Sequence, residues 1–467
     1  MLLYLCLKLI AKTALRVFFR RIDVPHRQRL LTQGPLIIVA NHPNTFMDPL
    51  IPAALLRQRS AFIAKGSIFN GFTRPIFKYL HVIAVYRKKD TADVQMSQAE
   101  LNKFTFQQCY DYLANRGTIM IFPEGTSELE RRLREIKTGA ARIALGAEFE
   151  HNFGLGVKII PVGINYTDPT QFRSDVFVNI GEAIEVADFK NQYHPESFAS
   201  VEALTQLIEN RLSELVIITE DEQEDSIVRN VEQLYKNQLF EDLNVIPNSK
   251  TTYFSLVRQI VQAVRYFEQQ RPDLLKEMQI KMANYLKNLQ MLGISDATLA
   301  QTKRFSRQIL ANFTVLLGGL PLFIYGLINN YLPYILPSYI AKKISSDRGY
   351  RAPIMMTAGI FLFPIFYGIQ IFLVHTLLQK SWLSVIYAVS LPLSGFFAWW
   401  YWPFVRRFRS AWQARKIFQK KPSLLQNLLA QRHVIFESLE EAKKVYLAVN
   451  SDYQNPVLQP PPPPKIK

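Results

Sequence analysis

The sequence predicts an α/β domain on a central mixed sheet, followed by a helical region and C-terminal membrane helices. Three observations predict it. Short β-branched runs alternate with helical stretches between residues 35 and 190, residues 197–306 read as helix, and three later runs contain no Asp, Glu, Lys or Arg. The 467 residues suffice for two domains with cores of their own. Hydrophobic residues reach 49% and charged ones 20%, which excludes a disordered chain and a wholly soluble enzyme. The formal charge of +17 calls for an anionic partner. Its basic residues flank apolar segments, which favours a phospholipid surface over nucleic acid. Cys6 and Cys109 are too few for a disulfide framework, and no Cys/His group has metal-ligand spacing, so no metal is expected.

The elements follow in order. Residues 1–21 are apolar, but Lys8, Lys12, Arg16 and Arg20 recur every four residues, as in an interfacial helix with its cations on one face. A secretory signal is the rival reading, yet no basic group precedes the apolar run and no small-residue cleavage site follows it. Leu36–Ala40, Ala61–Ala64, Val82–Tyr86, Thr118–Phe122, Val157–Ile164 and Val176–Ile180 read as strands, and Gln98–Asn115 and Lys137–Glu150 as helices. An acidic loop (Glu220, Asp221, Glu222, Glu224, Asp225) interrupts the helical region.

Ile309–Ala341, Pro353–Leu378 and Trp382–Val405 are each long enough to cross a bilayer, which needs about 20 apolar residues. Trp399, Trp400 and Trp402 beside Arg406, Arg407 and Arg409 fit an aromatic belt and a basic anchor. Three crossings would separate Lys342, Lys343, Arg348 and Arg351 from the later basic group. A shallow hairpin over Ile309–Ala341, turning near Asn329–Asn330, would keep both cytoplasmic. The tail has a helix over Phe436–Val449 and ends in a proline run expected to be disordered. The expected divisions are 1–24, 25–195, 196–305, 306–405 and 406–467.

Chemistry concentrates behind the strands. After the first comes Asn41-His-Pro-Asn-Thr-Phe-Met-Asp-Pro49, in which His42 and Asp48 are too far apart to share a helical face. They meet if His42 lies in the loop and Asp48 on the helix behind it. An alcohol is a poor nucleophile, a neutral imidazole can take its proton, and a carboxylate on the other ring nitrogen stabilises the imidazolium. A satisfied loop histidine is the plainer reading of that spacing alone.

Phe122-Pro-Glu-Gly-Thr-Ser127 follows the strand Thr118–Phe122. Gly125, Thr126 and Ser127 suit a turn approaching an anion, with Glu124 orienting a cation or a hydroxyl; an ordinary tight turn is the alternative. Arg87 closes a strand beside Lys88 and Lys89, as in phosphate recognition or a solvated basic turn. Lys137-Thr-Gly139 opens a helix, and Ile159-Ile-Pro-Val162 lies in a later strand.

Together these blocks, spanning about residues 30–190, resemble the glycerolipid acyltransferase family whose bacterial members make lysophosphatidic and phosphatidic acid. The resemblance implies His42 as base, Asp48 as its partner, and Arg87 with the Phe-Pro-Glu-Gly block (Glu124, Gly125, Thr126, Ser127) at the glycerol phosphate. Two departures stand out. Five residues, not four, separate His42 from Asp48, so the loop must bulge. Ser127 and Glu128 stand where the family often has Arg, leaving Arg131, Arg132 or Arg134 as replacements. The long spacing and the runs LREIKTGAARIALGAE and VKIIPVGINYTDPTQFRS look like the fungal glycerol-3-phosphate and dihydroxyacetone-phosphate acyltransferases. That likeness makes Lys137 and Arg173 phosphate-site candidates.

The resemblance implies an integral membrane enzyme of phospholipid biosynthesis with its catalytic domain on the cytoplasmic face. It would bind no cofactor, and acyl-CoA or acyl-carrier-protein would be the donor. A 1-acylglycerol-3-phosphate acyltransferase is the alternative within the class, and a transporter with a degenerate soluble domain the alternative outside it.

Overall fold

The computed structural model describes residues 2–31, 34–69, 71, 73–86, 98–194, 198–242, 252–300 and 305–449. Two compact units divide the chain: Met1–Thr219 with Ile344–Met356, and Glu220–Lys343 with Thr357–Leu458.

The first unit contains, in order, α1 (Leu2–Phe18), β1 (Arg21–Asp23), β2 (Leu36–Ala40), α2 (Met47–Leu55), β3 (Ser60–Lys65), α3 (Thr73–Tyr79) and β4 (Val82–Val85). There follow α4 (Gln98–Ala114), β5 (Thr118–Ile121), α5 (Gly139–Glu150), β6 (Lys158–Tyr166), β7 (Asp175–Ile180), β8 (Ile184–Glu185) and α6 (Ala199–Ser213). The strands form one mixed sheet, ordered β1-β7-β6-β2-β5-β3-β4, with β8 paired to β6. β2 is parallel to both β5 and β6, whereas β6 meets β7 antiparallel.

The apolar run of β2 follows from burial on both faces. Ile37 and Val39 join the cluster under α4, α5 and α6, while Leu36, Ile38 and Ala40 join the opposite one with Leu15, Met47 and Ile51. All five residues of β2 are fully buried, so Ile38→Ala would cost about 2–5 kcal/mol. Helix α6 buries Val201, Leu204, Ile208 and Leu212 in the first cluster. This packing extends the sheet unit past the expected boundary at 195, to Thr219. β1 and β8, three and two residues long, have no sequence pattern strong enough to announce them.

Helix α1 buries Leu15 and Phe18, and Lys8 Nζ donates to the Leu56 carbonyl at 2.5 Å. Leu2, Leu3, Leu5, Leu9 and Ile10 stay exposed, so one helix combines a docked face with a bare apolar one.

The second unit begins with α7 (Glu222–Asp242), α8 (Thr252–Gln270), α9 (Pro272–Leu292), α10 (Asp296–Ala300) and α11 (Phe305–Ile344). α12 (Arg351–Leu378), α13 (Ser381–Lys420) and α14 (Pro422–Val449) follow, and the proline run lies outside the described residues. The acidic stretch is only partly a loop: Glu220 and Asp221 lie in the link after α6, whereas Glu222, Glu224 and Asp225 form the first turn of α7, where carboxylates complement the helix dipole. Asp221 Oδ1 caps that turn by accepting from Glu224 N at 2.7 Å.

The expected hairpin is likewise corrected, because α11 runs unbroken through Pro321, Pro333 and Pro337. Pro333 has no N–H for the carbonyl of Asn329, but Gln370 Nε2 donates to that oxygen at 3.0 Å. Tyr387 Oη donates to Asn329 Oδ1 at 2.6 Å and Tyr367 Oη to Asn330 Oδ1 at 2.5 Å. Neighbouring helices therefore satisfy what the proline releases, and the Asn pair is an inter-helix polar junction rather than a turn. Among the described residues two helices are long and apolar enough to cross a membrane, within Arg348–Leu378 and Ser381–Lys420.

Candidate active site

The register of the central strands brings the two principal motifs together. Val39 of β2 pairs with Ile121 of β5, so the loops beyond both strands leave the sheet side by side. This is the carboxyl edge, where open α/β sheets place their ligands. Asn41 fastens the first loop to β6: its Nδ2 donates to the Ile164 carbonyl at 3.0 Å, and its Oδ1 accepts from Ile164 N at 2.7 Å.

His42 comes next. Its ring stacks on Phe122, 4.3 Å between centroids, and Nδ1 lies 2.9 Å from Asp48 Oδ2. Asp48 sits in the first turn of α2, wholly buried, with three donors around its carboxylate. His42 Nδ1 and Asn44 N (2.6 Å) meet Oδ2, and Tyr166 Oη donates to Oδ1 at 2.6 Å. An acceptor-only carboxylate so placed keeps the ring proton on Nδ1 and leaves Nε2 as the basic nitrogen. The imidazole is 20% exposed, enough for a substrate to reach it. Burial, seconded by Asp48, holds the Tyr166 hydroxyl well above its ordinary pKa, so it remains a donor.

The Phe-Pro-Glu-Gly block forms a tight turn in which Gly125 N donates to the Phe122 carbonyl at 3.1 Å. Gly125 has φ +67°, a conformation in which a side chain would be strained. Glu124 faces inward rather than toward a cation or a substrate hydroxyl. Its Oε1 accepts from His42 N at 2.8 Å and its Oε2 from Arg134 N at 3.2 Å, clasping the histidine loop to the following chain. Burial raises its pKa, and the two amides oppose that rise. Ser127 is also a clasp, since its Oγ accepts from Thr45 N at 2.7 Å.

The structure thus gathers His42, Asp48, Glu124, Gly125 and Ser127. Thr126 is exposed beside them, and Lys137, also exposed, joins the turn through its N–H to the Pro123 carbonyl at 3.1 Å. Arg173 does not join: its Nη1 lies 3.2–3.3 Å from the carbonyls of Arg16, Val17 and Phe19, at and just beyond the end of α1. That position suits the dipole of the helix it caps. Arg87 falls outside the described residues, as do Lys88 and Lys89. Among the open replacements for the family Arg, Arg132 pairs with Glu130 at 3.5 Å and Arg134 with Glu128 and Glu130.

Sequence reasoning missed Tyr166 of β6, which donates to Asp48, and the part played by Asn41, which fastens the histidine loop to β6. For Tyr166 the signal available was its place at the end of the apolar strand in the run VKIIPVGINY, since a polar tip at a buried strand end needs a partner.

Residues 21–165 match the family model described as Acyltransferase. Over 136 residues the chain is 33% identical to Glycerol-3-phosphate O-acyltransferase 1 of Saccharomyces cerevisiae, covering 28% of this chain and 18% of that protein. It is 32% identical over 120 residues to Glycerol-3-phosphate O-acyltransferase 2 of the same yeast, covering 26% and 16%. A third relative, a 1-acyl-sn-glycerol-3-phosphate acyltransferase of Chlamydomonas reinhardtii, is 30% identical over 128 residues, covering 27% and 33%. The matched part spans less than a fifth of the length of either yeast relative.

Proposed function

With residues 21–165 an acyltransferase-family domain, we propose that the chain transfers a fatty acyl group from an acyl thioester to the hydroxyl of glycerol 3-phosphate or dihydroxyacetone phosphate. The observation that carries this reading is the 2.9 Å pairing of His42 with a buried, fully engaged Asp48 at the carboxyl edge of the sheet. His42 Nε2 takes the proton of the acceptor hydroxyl as its oxygen bonds to the thioester carbonyl carbon. The C–S bond then breaks, and the departing sulfur takes the proton back from the imidazolium, leaving an ester, a free thiol and a neutral histidine. Asp48 stabilises the imidazolium between these events. Neither a cofactor nor a covalent enzyme intermediate is required. The donor is a coenzyme A or carrier-protein thioester.

Lys137, which joins the turn of the Phe-Pro-Glu-Gly block, and, by the family resemblance, Arg87 are the groups we assign to the acceptor phosphate. Arg173, whose Nη1 meets carbonyls at the end of α1, is left out of this assignment.

The bare apolar face of α1 and the exposed apolar faces of α12 and α13 support attachment to a phospholipid membrane. Two crossings, by α12 and α13, leave Lys342, Lys343, Arg348 and Arg351 on the same side as Arg406, Arg407 and Arg409. By the positive-inside rule that side is cytoplasmic, and the catalytic domain faces it.

A second acceptor is favoured by the likeness to the Chlamydomonas protein, which is named for its action on a 1-acyl glycerol phosphate. Full-length enzyme purified in detergent, given labelled acyl-CoA or acyl-carrier-protein and each acceptor in turn, separates the readings. Preference for glycerol 3-phosphate or dihydroxyacetone phosphate supports the proposal. Preference for the 1-acyl compound transfers it to the second reading, and no acyl transfer to any of them refutes both.

A further inference from the structure

The lengthened loop between His42 and Asp48 is braced by chain from the far end of the sequence. Ile344–Met356, which links α11 to α12, belongs to the sheet unit. Ala352 and Met356 are buried in the cluster that contains Met47 and Ile51 of α2, the helix carrying Asp48. The turn before them reaches the loop itself. Thr45 Oγ1 donates to the Gly349 carbonyl at 3.0 Å across 304 residues of sequence, and the rings of Phe46 and Tyr350 lie 6.2 Å apart. Asp347 shapes that turn, because its Oδ1 accepts from Gly349 N at 2.8 Å.

Thr45 also has φ +30°, a conformation that a β-branched residue rarely adopts. Such strain persists where the surroundings hold it in place, and here Ser127 holds its N–H while Gly349 holds its hydroxyl. The loop is one residue longer than the four-residue spacing, and two of its residues, Thr45 at positive φ and Phe46, meet Gly349 and Tyr350.

We propose that Thr45 and the Asp347–Gly349 turn are positioning residues for the His42–Asp48 pair. The bulged loop then depends on a brace delivered by the link between two apolar helices. The inference rests on the acyl-transfer reading of His42 and deepens it. Its consequence is that the C-terminal helices are more than an anchor, since truncation after about residue 306 also removes the brace.

The test uses full-length enzyme in detergent, with Thr45→Val, Thr45→Ser, Asp347→Ala, Asp347→Asn and the double variant Thr45→Val/Asp347→Ala. Loss of one neutral hydrogen bond that orients the base predicts a kcat about 3- to 10-fold lower in T45V and in D347A, with the KM for the acyl donor unchanged. T45S and D347N, which keep the donor and the acceptor, recover most of kcat. In the double variant, kcat falls no further than in the worse single one, because both substitutions break the same contact. Wild-type kcat in T45V, a T45S as slow as T45V, or multiplicative losses in the double variant would each overturn the proposal. His42→Ala is assayed alongside: if it is inactive while T45V is normal, only the brace fails, whereas an active H42A removes the acyl-transfer reading beneath it.

Discussion

Buried polar groups in the two units serve different ends. In the sheet unit Asp48, Asn44 and Glu124 are nearly or wholly sealed from water, and they bind residues brought together across the fold. Tyr166 reaches Asp48 across 118 residues, and Glu124 reaches His42 across 82. In the helical unit the buried polar groups tie neighbouring helices together, through side chains such as Tyr367 on Asn330 and Ser410 on Thr298 as well as through backbone carbonyls. Asn330 Nδ2 donates to the Gly326 carbonyl at 2.9 Å and to that of Leu391 at 3.2 Å, and Ser394 Oγ donates to Leu391 at 3.0 Å. The second pattern satisfies groups that water cannot reach. The first surrounds a partly exposed imidazole with groups that can stabilise a change of charge. Burial of a polar group therefore does not by itself mark chemistry; what the group is aimed at does.

Substitutions should separate the two regions by size of effect. His42→Ala should lower kcat by about 10³–10⁴-fold while the thermal midpoint in detergent stays near that of wild type. Activity close to wild type would erase the distinction at once. Asp48→Asn should follow at about 10²–10⁴-fold, because an amide can donate to Nδ1 and impose the wrong tautomer. A loss under tenfold would show that the imidazole is oriented by Phe122 and the loop instead.

Tyr166→Phe should cost about 3- to 10-fold in kcat, by removing one of the three donors to Asp48. Its pH dependence has a definite sign. The folded-state pKa of Tyr166 is raised by burial first and Asp48 second, so the folded protein holds that proton more tightly than the unfolded chain. Its contribution to stability is intact below the ordinary tyrosine value of about 10 and is lost as pH rises above it. Thermal midpoints of wild type and Y166F should therefore differ by a constant amount up to about pH 10, with wild type losing ground above it. Asn330→Ala should have the smallest effect, changing turnover by less than about twofold and stability by about 0.6 kcal/mol, the average for hydrogen bonds between membrane helices. A large loss of activity there would give the helical unit a part in the reaction.

How far the site could be read from the chain differs residue by residue. His42 and Asp48 were legible because both motif residues belong to one loop and the helix that follows it. Gly125 was legible because a Gly after a strand end announces a turn. Glu124 was expected to orient a cation or a hydroxyl, and a carboxylate beside a Gly turn gives no sign that the amides of His42 and Arg134 will meet its two oxygens. The contacts of Arg173 were hidden for a similar reason, as the carbonyls that it caps lie about 155 residues earlier. The continuity of α11 was not legible from its prolines, since the group that meets the carbonyl freed by Pro333, Gln370 Nε2, comes from another helix, as do Tyr367 and Tyr387, which hold the Asn330 and Asn329 side chains.

By itself the sequence determined most of the longer strands and helices, and that the base and its carboxylate lie in one short loop and the helix directly behind it. Those features follow from side-chain periodicity and chain stiffness, which act over a few residues. Tertiary structure alone decided that Tyr166 holds Asp48, that Glu124 and Ser127 tie the loop down, and that Gly349 braces it from the other end of the chain. Each of these contacts joins residues at least 82 apart in sequence. They depend on sheet register and packing, which no local pattern encodes.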